Sequence, residues 1–405
     1  MRSKTYFSGD KTKKSDFFIA YKPAKSGKLD IDIRSKTDIL HGNKLSNVVN
    51  STLTDLQINS GKIEIIDNGG QYFVLKARIE AAIKSVHSDL TLQSLPEMKN
   101  HTNYHSTRNR FRRSRLYLPG NQPKLMMNAG IHKPDGIILD LEDSVTPTEK
   151  MAARFIVRNA LRTLDFFGAE RMVRINQGDL GMMDIEAIVP NNVHLILIPK
   201  VETNQQLIEY DNKITKVIKE CGRTEPIFLM PILESALGIL NALKIAQASK
   251  NNVALAIGLE DYTADIGTKR TNKGTESFFA RSMLVNAARA TGLQPIDTVF
   301  SDVNDEDGLR ASVREAKSLG FDGKGCIHPR QIAPINEEFS PSISEVEIAK
   351  KIVLAFDNAE TKGLGVVSLG SKMIDPPIVK RAIHTVNLAT ATGMLDNDWR
   401  KNSNS

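Results

Sequence analysis

Two apolar runs, residues 227–233 and 253–259, are each followed by an acid: Glu234 after the first, and Asp261, preceded by Glu260, after the second. Short continuous apolar runs bounded by turn signals read as strands buried on both faces, and residues 236–248 between them carry helical spacing. The stretch therefore reads as one βαβ unit. The same alternation continues on both sides, with strands expected at 115–118, 136–141, 171–175, 194–198, 227–233, 253–259, 297–302 and 324–327 and helical segments in the intervals. Eight βα units across about 230 residues predict an α/β fold of the (β/α)8 TIM-barrel type, with a doubly wound open sheet as the alternative.

The flanks have a different rhythm. Residues 15–21, 29–33 and 62–66 read as strands, 43–56 and 74–86 as amphipathic helices and 67–70 as a turn, which makes a small α+β domain. From 90 to 108 periodicity gives way to Ser, Thr, Asn, His and a Pro, the signature of a linker. After the barrel, 342–360 has helical spacing, followed by a Gly-rich turn. The expected organisation is a basic tail (1–14), the small domain (15–90), a linker (91–108), the barrel (109–340) and a C-terminal helical extension and lid (341–405).

Composition changes this picture little. With 405 residues, 40% hydrophobic and 25% charged, the chain has ordinary globular usage and is long enough for more than one domain. Two cysteines make neither a disulfide framework nor a zinc pattern, so a reducing, cytoplasmic setting is expected. No run of 18 or more apolar residues and no charged-then-apolar leader is present, so neither a spanning helix nor a secretory signal is expected.

The net charge of +7 is concentrated at 4–14 and in five arginines between Arg108 and Arg115. That cluster lies directly before a strand and has no aromatic platform beside it. A local site for phosphates or carboxylates, including Arg113, is expected rather than nucleic acid.

Candidate chemistry lies where the strands end. Asp140, Glu142, Asp143, Arg174, Asn176, Lys200, Glu202, Glu234, Asp261, Asp302, His328 and Arg330 follow successive strands, and the C-terminal ends of barrel strands form the active face of this fold. Consecutive parallel strands bring Glu234 and Asp261, 27 residues apart, to one face. Two hard carboxylates there suit Mg²⁺, which keeps waters and recruits substrate oxygens. Arg174 and Lys200 beside them suit an anionic ligand held partly by metal and partly by cations.

In order along the chain stand RRSRLYLPG (112–120), DLEDSV (140–145), VRIN (173–176), IPK (198–200), ILES (232–235), GLEDY (258–262), GFDGK (320–324) and IHPRQI (327–332). Together they resemble the citrate lyase β-subunit family, which also contains malyl-CoA and citramalyl-CoA lyases. The likeness runs from about residue 112 to about 389. It looks strongest to citrate lyase β subunits through DTVFSD (297–302) and GLGVVSL (363–369).

The resemblance implies Mg²⁺-dependent cleavage of a carbon–carbon bond β to a thioester, most directly citryl thioester to oxaloacetate and an acetyl thioester. Malyl-, β-methylmalyl- or citramalyl-CoA are the alternatives, and a non-catalytic carrier or scaffold subunit is an alternative of another class. It further implies Glu234 and Asp261 as metal ligands, Arg174, Asp375 and Glu142 as catalytic candidates, and Arg113, Asn176 and Lys200 as substrate or thioester contacts. In that family an Asp on a C-terminal lid closes over a neighbouring subunit's site, which puts Asp375 forward as proton carrier and a trimer forward as the assembly. Asp375 before Pro376 also reads simply as a helix start. Gly370-Ser371-Lys372 stands where the family usually has Asn-Gly-Lys.

Residues 15–86 are similar to the acyl-carrier subunit of citrate lyase, through LDIDIRS (29–35), IIDNGG (65–70) and ARIEAA (77–82). The resemblance implies a phosphoribosyl-dephospho-CoA arm on a serine, here Ser15, and a citrate lyase α-type transferase as a partner. A flexible linker would then tether carrier to barrel at high effective concentration.

Overall fold

The computed structural model describes residues 4–35, 43–360, 367–369 and 372–402. The N-terminal domain is a four-stranded sheet in the order β1-β2-β4-β3. Its strands are β1 (Tyr6–Ser8), β2 (Phe17–Lys22), β3 (Leu29–Ser35) and β4 (Gly61–Asp67), with helices α1 (Asn43–Asp55) and α2 (Tyr72–Lys84). β4 lies antiparallel to β2, with Ile19 opposite Ile65, and parallel to β3. Ile63 and Ile65 of β4 are buried while Lys62 of the same strand is exposed and Glu64 half-buried, the period of two of a half-buried strand.

The expected basic tail is not all tail. β1 lies within it and pairs antiparallel with β2, Tyr6 opposite Tyr21. Three residues are too short to display a period; what holds them is the unpaired backbone edge of β2.

The barrel is closed. Its strands are β5 (Ser114–Pro119), β6 (Gly136–Asp140), β7 (Glu170–Arg174), β8 (Leu195–Ile198), β9 (Phe228–Leu233), β10 (Ala254–Ile257), β11 (Gln294–Asp297) and β12 (Gly323–Cys326). All pair in parallel, and β12 returns to β5. The longer helices around it are α3 (Lys150–Thr163), α4 (Gly178–Ile188), α5 (Asn204–Cys221), α6 (Phe278–Ala290) and α7 (Glu306–Leu319). Inside the barrel Ile138, Met172, Leu195, Leu197, Met230 and Ile296 interdigitate as a packed core. β11 departs from expectation: it ends at Asp297 rather than beginning there. Asp297 is held by Lys324 and Arg281, and the apolar residues after it run on as a loop at the mouth.

The small domain is docked. α2 is buried nearly all round, because its own sheet covers one side and α3 of the barrel another. Arg158 of α3 donates to both carboxylate oxygens of Glu80 at 3.0 and 2.7 Å. Arg78 donates to both oxygens of Asp16 and reaches Glu149 of the barrel at 3.2 Å.

The segment between the domains is irregular but pinned, contrary to a flexible tether. Ser94 is buried and donates to Asp55, Lys99 N donates to Arg162 O, Arg162 donates to Pro96 O, and Tyr104 donates to Ala169 O. The polar residues that look like linker supply the hydrogen bonds that fix it.

After the barrel, α8 (Ile343–Glu360) and α9 (Pro376–Ala391) pack together around Ala349, Val353, Ala382 and Val386. Between them β13 (Val367–Leu369) pairs antiparallel with β14 (Lys372–Ile374). Residues 363–366, Gly370 and Ser371 of the expected motifs lie outside the described residues. α9 faces the N-terminal end of the barrel: Lys380, Arg381 and His384 share a groove with Phe111, Leu293 and Phe321, which precede β5, β11 and β12.

Candidate active site

A cleft of about 350 Å³ opens at the C-terminal ends of the strands, lined among others by Tyr117, Asp140, Asp143, Arg174, Glu234 and Asp261. Arg174, the last residue of β7, donates through Nε and Nη2 to the two oxygens of Asp140, both at 2.7 Å. This fork–fork geometry fixes the guanidinium plane. Its remaining Nη1 lies 3.0 Å from Glu142 Oε2, and its cation stands over the Tyr117 ring at 5.4 Å. Burial alone would raise the Asp140 carboxyl, but the Arg174 fork, the Ser144 side chain and the Glu142 amide hold it below the ordinary value.

Burial pushes Glu142 up, with Asp143 adding to it against the opposing pull of Arg174 and Lys200. Glu142 accepts from Gln177 Nε2 at 2.9 Å, and Lys150 donates to the carbonyls of Leu141 and Glu142. Gln177 and Lys150 escaped the sequence reading: Gln177 is an uncharged residue that opens α4, and Lys150 stands in the first turn of α3, well past the end of β6.

Lys200 Nζ sits 3.5 Å from Glu142, 3.7 Å from Asp143 and 3.6 Å from Asp261. Burial lowers its pKa, yet these acids and Glu234 raise it on balance, so it stays cationic. Its backbone is left-handed, φ 51°, and its N–H donates to Glu234 Oε1 at 3.1 Å. A non-glycine residue held there is backbone strain at the mouth.

Glu234 is buried. Loss of solvent, with Asp261 and Glu142 adding to it, pushes its pKa up to about 8 despite the Lys200 amide. Gly258 makes room for it: a Cβ there would stand 2.4 Å from Glu234 Oε2.

Five carboxylates, Asp140, Glu142, Asp143, Glu234 and Asp261, thus share this mouth with the cations Arg174 and Lys200. A buried carboxyl driven toward neutrality among other acids, with an all-oxygen donor set, fits a hard divalent cation. Among the described residues, no group of three or more His, Cys, Asp or Glu converges as a closed site. Two protein ligands with waters and substrate oxygens completing the shell fit Mg²⁺ in particular.

Not every expected residue comes here. Arg113 is at the opposite end of the barrel, donating to both oxygens of Asp135 and to Ser340. Arg112 is spent on Glu170 in a buried pair, so the arginine cluster is largely structural. Asn176 is buried with both its N–H and its side-chain amide on Asp184, itself bound to Arg154, which removes it from ligand contact. Asp302 is exposed in a loop and accepts from Asn304 N, and His328 accepts from Arg330 N.

Asp375 is exposed, caps α9 by accepting from Ile378 N, and does not line its own chain's cleft. Ser15 adopts φ 60° in a turn whose N–H donates to Asn68 O, and Lys13 two residues earlier donates to Asn121 O in the loop after β5. The serine segment therefore lies against the mouth side of the barrel. Among the described residues no helix is long and apolar enough to cross a membrane.

Comparison with known proteins agrees with this geometry. Residues 113–329 match the HpcH/HpaI aldolase/citrate lyase family, and residues 9–86 match the malonate decarboxylase delta subunit (MdcD) family. The chain is 40% identical to citrate lyase subunit beta of Leuconostoc mesenteroides subsp. cremoris, covering 71% of this chain and 97% of that protein. It is 34% identical to the mitochondrial citramalyl-CoA lyase of Mus musculus, covering 69% and 86%. Among solved structures it is similar to CitE of Mycobacterium tuberculosis in complex with magnesium, acetoacetate and coenzyme A. That likeness has a TM-score of 0.57 and 29% identity, over 70% of this chain and 99% of the other.

Proposed function

The chain belongs to the HpcH/HpaI aldolase/citrate lyase family, and from that footing we propose that it is a Mg²⁺-dependent carbon–carbon lyase acting on a 3-hydroxyacyl thioester, most directly a citryl thioester. The observation that carries the reading is the joint presence, in one cleft, of the Asp140-clamped Arg174 and the Glu234–Asp261 pair. The relatives include citrate lyase β subunits, a citramalyl-CoA lyase and an L-malyl-CoA/β-methylmalyl-CoA lyase, and a citrate lyase β subunit has been solved with oxaloacetate and magnesium.

In the reaction, the hydroxyl proton passes to a general base as the bond between the carbinol carbon and the thioester α-carbon breaks, and the electron pair passes to the thioester as an enolate. Glu234 and Asp261 would hold the magnesium ion, and the ion when bound would supply Lewis-acid stabilisation of the departing keto acid. Arg174, fixed in plane by Asp140, faces the developing enolate charge already oriented. Glu142 positions Arg174 and Lys200, and Lys200 holds the substrate's anionic end while its amide orients Glu234. The enolate carbon must then gain a proton. Asp375, which does not line its own chain's cleft, would be supplied by a neighbouring copy in a homo-oligomer, a trimer in this reading.

The N-terminal domain supports a carrier role for the thioester, with Ser15 as the attachment point of a phosphoribosyl-dephospho-CoA arm. Its turn lies beside the loop after β5 that Lys13 touches. An α-type transferase would load such an arm.

The test is a Mg²⁺-dependent assay of citryl-, citramalyl- and malyl-CoA, together with the intact mass of protein from its native host. Cleavage that EDTA abolishes supports the lyase. Turnover of none of the three by protein without an arm, nor of the acylated carrier where an arm is found, defeats it.

A further inference from the structure

Arg115 is 1% exposed and projects into the barrel beneath the cleft, whose floor it lines together with Tyr117, Ala256 and Gly325. Most buried arginines elsewhere in this chain meet carboxylates: Arg78 meets Asp16, Arg112 meets Glu170 and Arg158 meets Glu80, while Arg171, which meets none, donates to the carbonyls of Asn192 and Tyr104 and stacks over the Tyr104 ring, away from the cleft. Arg115 has no such partner among the described residues. Nη1 rests 3.1 Å from the Met230 sulfur, Nη2 reaches the Asp297 carbonyl only at 3.5 Å, and Nε has no hydrogen bond. The Asp297 carboxylate is taken by Lys324 and Arg281. A guanidinium out of water with so little compensation is costly unless an anion comes to it.

The mouth above repels anions unless they are matched. Arg174 and Lys200 are already assigned to the enolate and to the substrate's first anionic end, so among the described residues lining the cleft a further carboxylate finds its cation in Arg115. Room for it lies in the cleft itself, about 350 Å³, whose wall carries little side chain at Ala256; Gly325 is small because Val299 Cγ1 and Tyr117 Cε2 already stand 2.7 and 3.2 Å from where a Cβ would be.

We propose that Arg115 is the specificity-determining residue of this cleft, receiving an additional carboxylate on the acyl group. The cleft then prefers a thioester whose carbinol carbon bears a carboxymethyl arm over one that bears methyl or hydrogen. This rests on the lyase reading above and names its substrate class.

Arg115→Met and Arg115→Lys are compared with the unaltered protein in two measurements. In the first, kcat/KM is measured for citryl-CoA and citramalyl-CoA. In the second, equilibrium binding is measured for oxaloacetate, which keeps the extra carboxylate, and pyruvate, which lacks it. The citryl-to-citramalyl ratio is expected to fall by about 100-fold in Arg115→Met, the scale of losing a charge-assisted hydrogen-bonded pair, with partial retention in Arg115→Lys. Oxaloacetate binding weakens in step and pyruvate binding holds.

Equal losses for both ligands, or none, overturn the assignment. If the unaltered protein turns over neither thioester, the lyase reading fails, and the oxaloacetate-to-pyruvate binding ratio still decides the role of Arg115. Met matches the length of the buried stem, so Arg115→Met is expected to fold with an undiminished Tm; should it not, Arg115→Lys carries both measurements.

Discussion

Glu80 of the N-terminal domain receives both terminal nitrogens of Arg158 from the barrel, at 3.0 and 2.7 Å, and neither side chain is exposed by more than 1%. Lys84 adds a third contact to the same carboxylate at 2.9 Å. The two domains are therefore joined by a buried ion pair as well as by a covalent segment. Removing one partner strands the other charge, so Glu80→Ala is expected to cost about 3–5 kcal/mol in urea denaturation. Limited proteolysis should then open residues 91–108, which are expected to resist cleavage in the unaltered protein. A loss under about 1 kcal/mol with unchanged proteolysis would refute a fixed docking.

Gly258 is where a single methyl should disable the proposed metal pair. Its Cβ would overlap the Glu234 carboxylate at 2.4 Å, whereas its φ of −108° suits any residue, so the penalty is one of space alone. Gly258→Ala is expected to fold but to lose the Mg²⁺-induced rise in Tm, which at about 100 times Kd corresponds to about 2.7 kcal/mol in the unaltered protein. Glu234→Gln should lose the same response. Its Tm without metal should change little, because the carboxyl it replaces, with its pKa near 8, is largely neutral at pH 7. A full Mg²⁺ response in both variants would remove Glu234 from the metal site.

These consequences depend on distances that spacing along a chain does not carry. The barrel was legible because its strands are buried on both faces and hence continuously apolar, as in β8 and β9, while the polar ring at their ends marks the mouth. Arg174, Lys200, Glu142, Glu234 and Asp261 converge for that reason. Arg113 and Asn176 carry the same residue types, but what decided their fate was a buried or half-buried carboxylate that the strand pattern does not point to, Asp135 for Arg113 and Asp184 in α4 for Asn176. Arg115 shows the reverse: within a cluster read as one site, it alone lines the cleft. β1 was hidden by its length, and the pinned segment by its polar composition.

His194 provides the pH test. Burial, with nearby Arg171 adding to it, lowers its pKa to about 3. The neutral ring accepts from Arg171 N at 3.1 Å and donates to Tyr104 O at 2.7 Å. Between about 3 and its ordinary value near 6.5 the unfolded chain binds a proton that the folded chain does not, so stability falls as pH falls through that window. One proton corresponds to about 1.4 kcal/mol per pH unit. Between pH 7 and pH 5 the unaltered protein should lose about 2 kcal/mol more than His194→Gln in denaturant titrations. Identical pH profiles would count against a neutral buried imidazole.

Asp375 carries two roles that a single substitution can separate. As the N-cap of α9 it accepts from Ile378 N at 3.2 Å, and Asn performs that task equally well. Asp375→Asn should therefore keep its Tm, whereas Asp375→Ala should lose about 1 kcal/mol. As a proton carrier Asn is useless, so kcat in Asp375→Asn should drop by about 100- to 10,000-fold. Because α9 lies toward the N-terminal end of its own barrel, the proposed role requires the carboxyl to act on a neighbouring copy. Arg174→Ala and Asp375→Asn, each inactive alone, are then expected to recover activity when co-expressed. In a mixed oligomer about one site in four combines an intact barrel with an intact Asp375 from its neighbour, so the rate should approach about a quarter of the unaltered value. Mixed oligomers that form on co-expression and stay inactive would place the proton carrier elsewhere in the chain.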